Sequence, residues 1–312
     1  MTYATKESPA EIGFIGLGHM GSAMAANLAA KYNVVAYVRH PDRMTELAAL
    51  GLKPTTEIAN LFNCDIVISM VSDDSAAREI VFGRKERGIV GLASGLNRGA
   101  LHLSMSTIST AAATALAEEH AHHGQSYVSA PVFGNQDAAK ARELYILAAG
   151  AADDVERCRP LFDILGQRTF AIGRDPAHAN LLKLLGNMLT ATTLEMLGEA
   201  VAVALKRGLD PKVFIDVMTS TMFAGRAHRI YGDKIVRQSY AAGFALPLVF
   251  KDVRLALAEA EEAGAPMPSV DVVRDRLITG IARGYDKLDW TVLGRIAAEE
   301  AGLSFAPLVA SK

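Results

Sequence analysis

Residues 13–28 read GFIGLGHMGSAMAANL. A short apolar run, 12–15 (IGFI), stops at Gly16, and two more glycines follow at Gly18 and Gly21. From Ser22 to Ala30 small and apolar residues dominate, as suits a helix packed closely on a sheet. The spacing G-x-G-x-x-G is weak alone and gains meaning from the strand before it and the helix after it. Gly16 permits a tight turn, Gly18 lets backbone approach a pyrophosphate, and Gly21 lets helix and strand pack together. The helix start then offers unpaired N–H groups and a positive dipole end to phosphate. The stretch predicts a dinucleotide site built from Gly16, Leu17, Gly18, His19, Met20 and Gly21.

Outward from this loop, apolar runs recur. Residues 33–38 (NVVAYV) and 65–71 (DIVISMV) read as strands, with others at 101–105, 126–128 and 144–149. Helical stretches such as 43–50 and 110–123 lie between them. This alternation predicts an α/β domain with a doubly wound, mostly parallel sheet, whose strands are apolar on both faces. Val71 and Ser72 end the third strand and are expected beside the cofactor; Asp73 and Asp74 follow as helix-capping residues. Near residue 175 the pattern changes, and no further strand is evident. A long helix is expected from about Pro176 to Arg207, stopped at Gly208, and another starts at DPK, with Asp210 as N-cap and Pro211 in the first turn. Stretches 251–263 and 270–283 are helical in pattern. Two domains follow: an α/β domain with the dinucleotide loop over 1–174, and an all-helical domain over 175–312.

The second strand bears on cofactor choice. It ends in Val38-Arg39-His40, where an NAD site usually carries an acid for the ribose 2′-hydroxyl. Arg39, with His40 beside it, can clamp a 2′-phosphate with a planar, permanently charged fork. Asp42 comes after Pro41, which turns the chain first. NADP(H) is therefore expected over NAD(H); the plainer alternative is an exposed surface arginine.

Composition limits the field. Of 312 residues, 50% are hydrophobic and 21% charged, with net charge −2, so no global field attracts nucleic acid or an anionic membrane. RKERG at 84–88 reads as a solvated loop. The apolar runs are broken by charge or glycine short of a membrane span. MTYATKESPAE has no basic leader and apolar stretch, and Cys64 and Cys158 form no CxxC, so a reducing, cytoplasmic setting is expected. His120, His122 and His123 in AEEHAHHG read as a solvated helix end rather than a metal site. Phe223, Tyr231, Phe244 and Trp290 are assigned to core or interface, with Tyr231 or Phe244 as possible pocket walls, and Met218 and Met222 to packing.

NLLKLLGN, 180–187, sets one cation among leucines. Lys183 can snorkel, its stem on apolar surface and its ammonium in water. It can instead face a pocket and protonate an oxygen on which hydride transfer develops charge. Asn187, at i+4, shares its helix face.

Taken together, these motifs resemble the β-hydroxyacid dehydrogenase family, which includes 3-hydroxyisobutyrate dehydrogenases, tartronate semialdehyde reductases and glyoxylate or succinic semialdehyde reductases. The resemblance runs from about residue 11 to 303. GFIGLGHMGSAMAANL looks like its cofactor loop, VRHPDR like its NADP-type arginine segment, STIST (106–110) like its Ser-Thr segment, SAPVFGNQDAA (129–139) like its substrate loop, NLLKLLGN like its catalytic helix and FKDVRLA (250–256) like its C-terminal lysine motif. The resemblance implies a Rossmann-type dinucleotide-binding domain over 1–174, a long inter-domain helix and a helical substrate and dimerisation domain over 175–312, joined in a homodimer or homotetramer. It implies that Lys183 is the catalytic acid/base and Asn187 orients substrate, that Thr107 and Lys251 contact NADP(H), and that Ser106 lines the pocket for a small carbonyl or hydroxy-acid substrate. Phe133, Gly134 and Asn135 fall in the substrate loop. Many members run Asp-Ala-Pro-Val-Ser-Gly-Gly there, against Ser129, Ala130, Pro131, Val132, Phe133, Gly134 and Asn135 here. Phe133 cannot bond a carboxylate through its side chain, which opens the site to less polar carbonyls or to imines. Imine reductases resemble this architecture but usually carry Asp or Tyr in place of Lys183. A dehydrogenase-like binding protein that keeps the nucleotide without chemistry is the reading of a different class.

Overall fold

The computed structural model describes residues 11–84, 88–241 and 243–306. The leader reading therefore lies, but for Glu11, outside the described residues, as does the centre of RKERG at 85–87. The chain forms two compact units, Met1–Lys183 and Leu184–Lys312.

The first unit opens with β1 (Glu11–Ile15), α1 (His19–Ala29), β2 (Asn33–Tyr37), α2 (Met44–Ala49), β3 (Lys53–Thr55), β4 (Ile66–Ser69) and α3 (Asp74–Phe82). A small antiparallel ladder follows, β5 (Gly83–Arg84) with β6 (Ile89–Val90), then α4 (Leu92–Gly95). The unit continues through β7 (Leu101–Ser104), α5 (Thr110–His122), β8 (Ser126–Ser129), β9 (Val132–Phe133), α6 (Gln136–Lys140), β10 (Leu144–Ala149), α7 (Ala152–Leu165) and β11 (Gly166–Gly173). The main sheet runs β11-β10-β8-β7-β4-β1-β2-β3, with β9 also paired to β10. Its ladders are parallel except where β10 meets β8 and β9. The chain winds outward from β1 to β3, then returns to β4 on the other side of β1. That reversal is a topological switch point, the place where open α/β sheets bind ligands.

The apolar runs form strands because both faces are covered. Ile12, Phe14, Ile66, Ile68, Leu101 and Leu103 point to one core, against Met24, Leu28 and Phe162. Ile15, Val35 and Val67, set off by one residue, point to the other, with Leu61 and Leu92. This is the period of two that a pleated strand imposes. Each such side chain, fully buried, contributes about 2 kcal/mol. Five strands were not expected: β3, β5, β6, β9 and β11.

In the second part of the chain, α8 (Pro176–Lys206) is followed by α9 (Pro211–Ser220), α10 (Arg226–Val236), α11 (Leu246–Glu262), α12 (Pro268–Ala282) and α13 (Val292–Glu300). Among the described residues no strand occurs after β11. Asp210 caps α9 as read, accepting from Lys212 N at 2.8 Å. Leu194, Leu246, Leu277, Leu293 and Ile296 form a buried core with Trp290, which meets Tyr231 and Phe244 edge-on at 5.3 and 5.2 Å. One packing assignment fails: Met222 is 84% exposed, because the chain leaves α9 before that turn, while Phe223 lies outside the core of this unit with its ring 5.4 Å from that of His228.

The 31 residues of α8 include an 18-residue window of mean hydropathy 1.4. By length and composition alone this helix could cross a membrane, against the expectation that every apolar run is cut short. Asn180, Lys183, Asn187 and Glu195 are buried polar positions along it, as in a core helix of a folded domain.

Candidate functional site

The carboxyl ends of β1, β4 and β7 bring three loops together at the switch point. Gly16 has φ +91°, and a Cβ there would overlap the Met70 carbonyl oxygen. A Cβ on Gly21 would overlap the Gly16 carbonyl oxygen, so the glycine that opens α1 must stay bare. Nothing stands within 4 Å of where a Gly18 side chain would be, and α1 starts there without a side-chain cap. An open space above a helix N-terminus with uncapped N–H groups fits a dinucleotide pyrophosphate. Leu17 is buried, Met20 packs on the sheet core, and His19 is exposed.

Arg39 and His40 follow β2 and are exposed, and Pro41–Arg43 make the turn that the proline predicted. Arg43, not singled out from the sequence, donates to the Leu17 carbonyl and pairs with Glu46 at 2.9 Å. It tethers the arginine segment to the glycine loop. A cavity of about 490 Å³ lies beside this tether, lined by Gly18, His19, Arg43, Gln136 and Lys140 among others.

Val71 N donates to Ser106 Oγ at 2.8 Å, joining the loops after β4 and β7. Ser106 is fully buried, so the hydroxyl expected to line the substrate pocket is engaged in holding the two loops together. Ser72 is exposed and donates to Asp73, which caps α3 by accepting from Ala76 N at 2.9 Å. Asp74 reaches across to Ser109, accepting from its N at 2.8 Å and its Oγ at 2.6 Å. The two acids are thus structural, and Thr107 sits half-buried between Ser106 and Ser109.

Asn180 is fully buried in the first turns of α8. Its Oδ1 accepts from Ile108 N at 3.3 Å and its Nδ2 donates to Ser129 Oγ at 2.5 Å. These bonds fix the rotation of the helix against the ends of β7 and β8. One turn later Lys183 is only 8% exposed, so most of its stem is covered. Its Nζ stands 4.6 Å from the centroid of the Phe133 ring, in cation–π range. Gly134, at φ +140°, turns the loop sharply, and a Cβ there would come within 2.6 Å of Leu144. Asn135 accepts from Ala138 N at 3.0 Å, so its side chain caps α6. Asn180, part of the quoted octapeptide, carries a role that its own neighbours in sequence do not announce.

Further along α8, Asn187 is buried and donates to Asp252 Oδ2 at 2.6 Å. Asp252, also buried, lies 2.9 Å from Lys251 Nζ through its other oxygen. The acid beside Lys251 was missed in the sequence; it anchors both the amide and the ammonium.

One expectation is reversed. His120 is not at a solvated helix end but fully buried, bonded to His102 at 2.9 Å and to Gln125 at 2.7 Å. Burial lowers the affinity of both rings for a proton. Burial pushes the Cys64 thiol up to about 12 and raises Cys158 further, so neither is a thiolate near neutrality. Among the described residues no group of three or more His, Cys, Asp or Glu is placed to hold a metal ion.

Residues 11–173 match the family described as the NAD binding domain of 6-phosphogluconate dehydrogenase, and 177–296 that described as NAD-binding of NADP-dependent 3-hydroxyisobutyrate dehydrogenase. The chain is 35% identical to the uncharacterized oxidoreductase YfjR of Bacillus subtilis, over 91% of this chain and 98% of that one. It is 31% identical to glyoxylate/succinic semialdehyde reductase 1 of Arabidopsis thaliana, over 91% and 96%. The solved 3-hydroxyisobutyrate dehydrogenase of Salmonella typhimurium shares the fold, with TM-score 0.80 at 22% identity, covering 92% of this chain and 99% of that one.

Proposed function

The chain belongs to the β-hydroxyacid dehydrogenase family of NAD(P)-dependent oxidoreductases, and from that premise we propose that it is an NADPH-dependent reductase of small carbonyl compounds with Lys183 as proton donor. The carrying observation is the buried residue Lys183, whose ammonium stands over an aromatic ring on a helix that Asn180 bonds in place. When bound, NADPH supplies a hydride to the carbonyl carbon. The lysine ammonium hydrogen-bonds the carbonyl oxygen, opposes the negative charge that grows there and delivers the proton that completes the alcohol. The resulting amine recovers its proton from solvent. Asn187, on the same face of α8, orients the substrate through an amide whose position Asp252 fixes.

NADPH over NADH rests on Arg39 and on the absence of an acid at the end of β2. The glycine loop supplies the pyrophosphate cradle, with Val71, Ser72 and Thr107 along the cofactor's path. A homodimer or larger assembly is supported by Leu182, Leu189, Met196 and Val203, which recur every seven residues on α8 and are 40–64% exposed.

A panel of aldehydes, keto acids and cyclic imines, scored by NADPH oxidation, tests this reading. Reduction of carbonyls is expected. NADPH binding without turnover of any carbonyl would refute it and favour a nucleotide-binding protein without chemistry.

A further inference from the structure

We infer that Phe133 makes the site selective for aldehydes and ketones that carry an apolar alkyl or aryl group, and selects against those with a carboxylate beside or near the carbonyl. The inference rests on the proposed role of Lys183 and on the geometry of one ring. A carbonyl oxygen bonded to Lys183 Nζ stands about 2.9 Å from it. The ring centroid is 4.6 Å from the same nitrogen. The ring therefore belongs to the immediate surroundings of the ammonium, and a carbonyl oriented so that its substituents lie on that side meets Phe133.

The ring is not free to leave. Phe133 pairs with Tyr145 in the ladder between β9 and β10, and Gly134 follows it at φ +140°. Its side chain packs on Leu147, Ala149 and Ala179 together with Phe170 and Ile172. The face of an aromatic ring carries partial negative charge, which attracts the lysine ammonium and repels a carboxylate. Three polar side chains at or just after the ends of β7, β8 and β9 are held by protein partners: Ser106 by Val71 N, Ser129 by Asn180, and Asn135 by Ala138 N. A substrate carboxylate would give up water for an aromatic wall, whereas an alkyl or phenyl group would gain apolar contact. Lys183 could pair with such a carboxylate, but only by ceasing to face the carbonyl oxygen.

The experiment compares kcat/KM with NADPH for butanal and phenylacetaldehyde against glyoxylate and succinic semialdehyde, in the full-length wild type, Phe133→Ser and Phe133→Leu. The wild type should favour the uncharged pair by tenfold or more, in the range that pocket contacts supply. Phe133→Ser should shift that ratio at least tenfold toward the carboxylates, and Phe133→Leu, which keeps an apolar wall, should hold it. A wild type that prefers the carboxylates, or a ratio that Phe133→Ser leaves unchanged, overturns the inference while leaving the reductase reading intact. Should Phe133→Ser not fold, the wild-type ratio and Phe133→Leu against Phe133→Gln decide the point. No turnover of either class by the wild type would overturn the reductase reading, and this inference with it.

Discussion

Lowering the pH from about 7.5 to about 5.5 should weaken the first unit through two buried histidines. Gln125 Nε2 donates to the carbonyls of Ala93 and Leu96 at 2.9 and 2.8 Å, so its oxygen must face His120. His120 Nδ1 is then the donor of that bond, and its Nε2 accepts from His102 Nδ1 at 2.9 Å. His102 Nε2 in turn accepts from the Ser69 hydroxyl at 2.8 Å. Every nitrogen is assigned, both rings are neutral, and an added proton on His120 would set two N–H groups against each other. Burial, reinforced at His102 by the neighbouring ring, holds both proton affinities below the ordinary value of 6.5. In the unfolded chain both rings take up a proton below that value. Stability is therefore present above about pH 6.5 and is lost as the pH falls. Between the two conditions each ring removes at most about 1.4 kcal/mol, the limit in which it stays neutral when folded, and so at most about 2.7 kcal/mol for the pair. Glu195, whose affinity for a proton burial raises, acts in the opposite sense, so the comparison must be with a variant lacking both rings. Cys64 and Cys158 are both buried in this unit and provide the probe. Urea titrations scored by reaction of these thiols with 4,4′-dithiodipyridine, which reacts at acidic pH, give the stability at each pH. The double variant His102→Gln, His120→Gln should be less stable at the higher pH but should lose about 2 kcal/mol less on acidification. Equal losses in variant and wild type would refute the assignment of two neutral rings.

Arg39→Ala should weaken NADPH binding at least about tenfold while changing NADH binding little, measured by titrating cofactor fluorescence; equal effects would remove the argument for a 2′-phosphate clamp. Gly21→Ala drives a methyl group into the Gly16 carbonyl and should cost about 2–3 kcal/mol of stability along with cofactor affinity, read by urea unfolding and NADPH titration. Asp210→Ala should cost about 1 kcal/mol through loss of the α9 cap, visible as a lower melting temperature with cofactor affinity unchanged.

What could be read in advance follows from how local each signal is. β1, β4 and β7 stand out because both their faces are buried, so apolar residues recur through each of them. β11 (GQRTFAIG) is an edge strand with exposed Gln167 and Arg168, and β3 carries Pro54 at the opposite edge, where a missing N–H is tolerated. α13 was missed because it is only nine residues long and carries Gly294 in its first turn, although Val292, Leu293, Ile296 and Ala297 keep a helical spacing. α10 was missed because it is short and polar, with Gly232 reading as a break; that glycine lets the helix approach Ile215. At the site, the glycine loop was legible from its own neighbourhood, whereas the octapeptide around Lys183 left two readings open and only the resemblance chose between them. Asn180 was not legible, since its partners lie 72 and 51 residues away in sequence. Nor could the sequence tell which of three nearby histidines turns inward, because that depends on His102, 18 residues away in β7, as well as on Gln125 just after the helix.

The proton-donor role of Lys183 is tested most directly by single-turnover reduction of an aldehyde by enzyme-bound NADPH, in wild type and Lys183→Met. The variant should bind NADPH with affinity within about threefold of wild type and transfer hydride at least about a hundredfold more slowly, the scale of a lost general acid. Hydride transfer at a rate close to wild type, with the cofactor still bound, would contradict it.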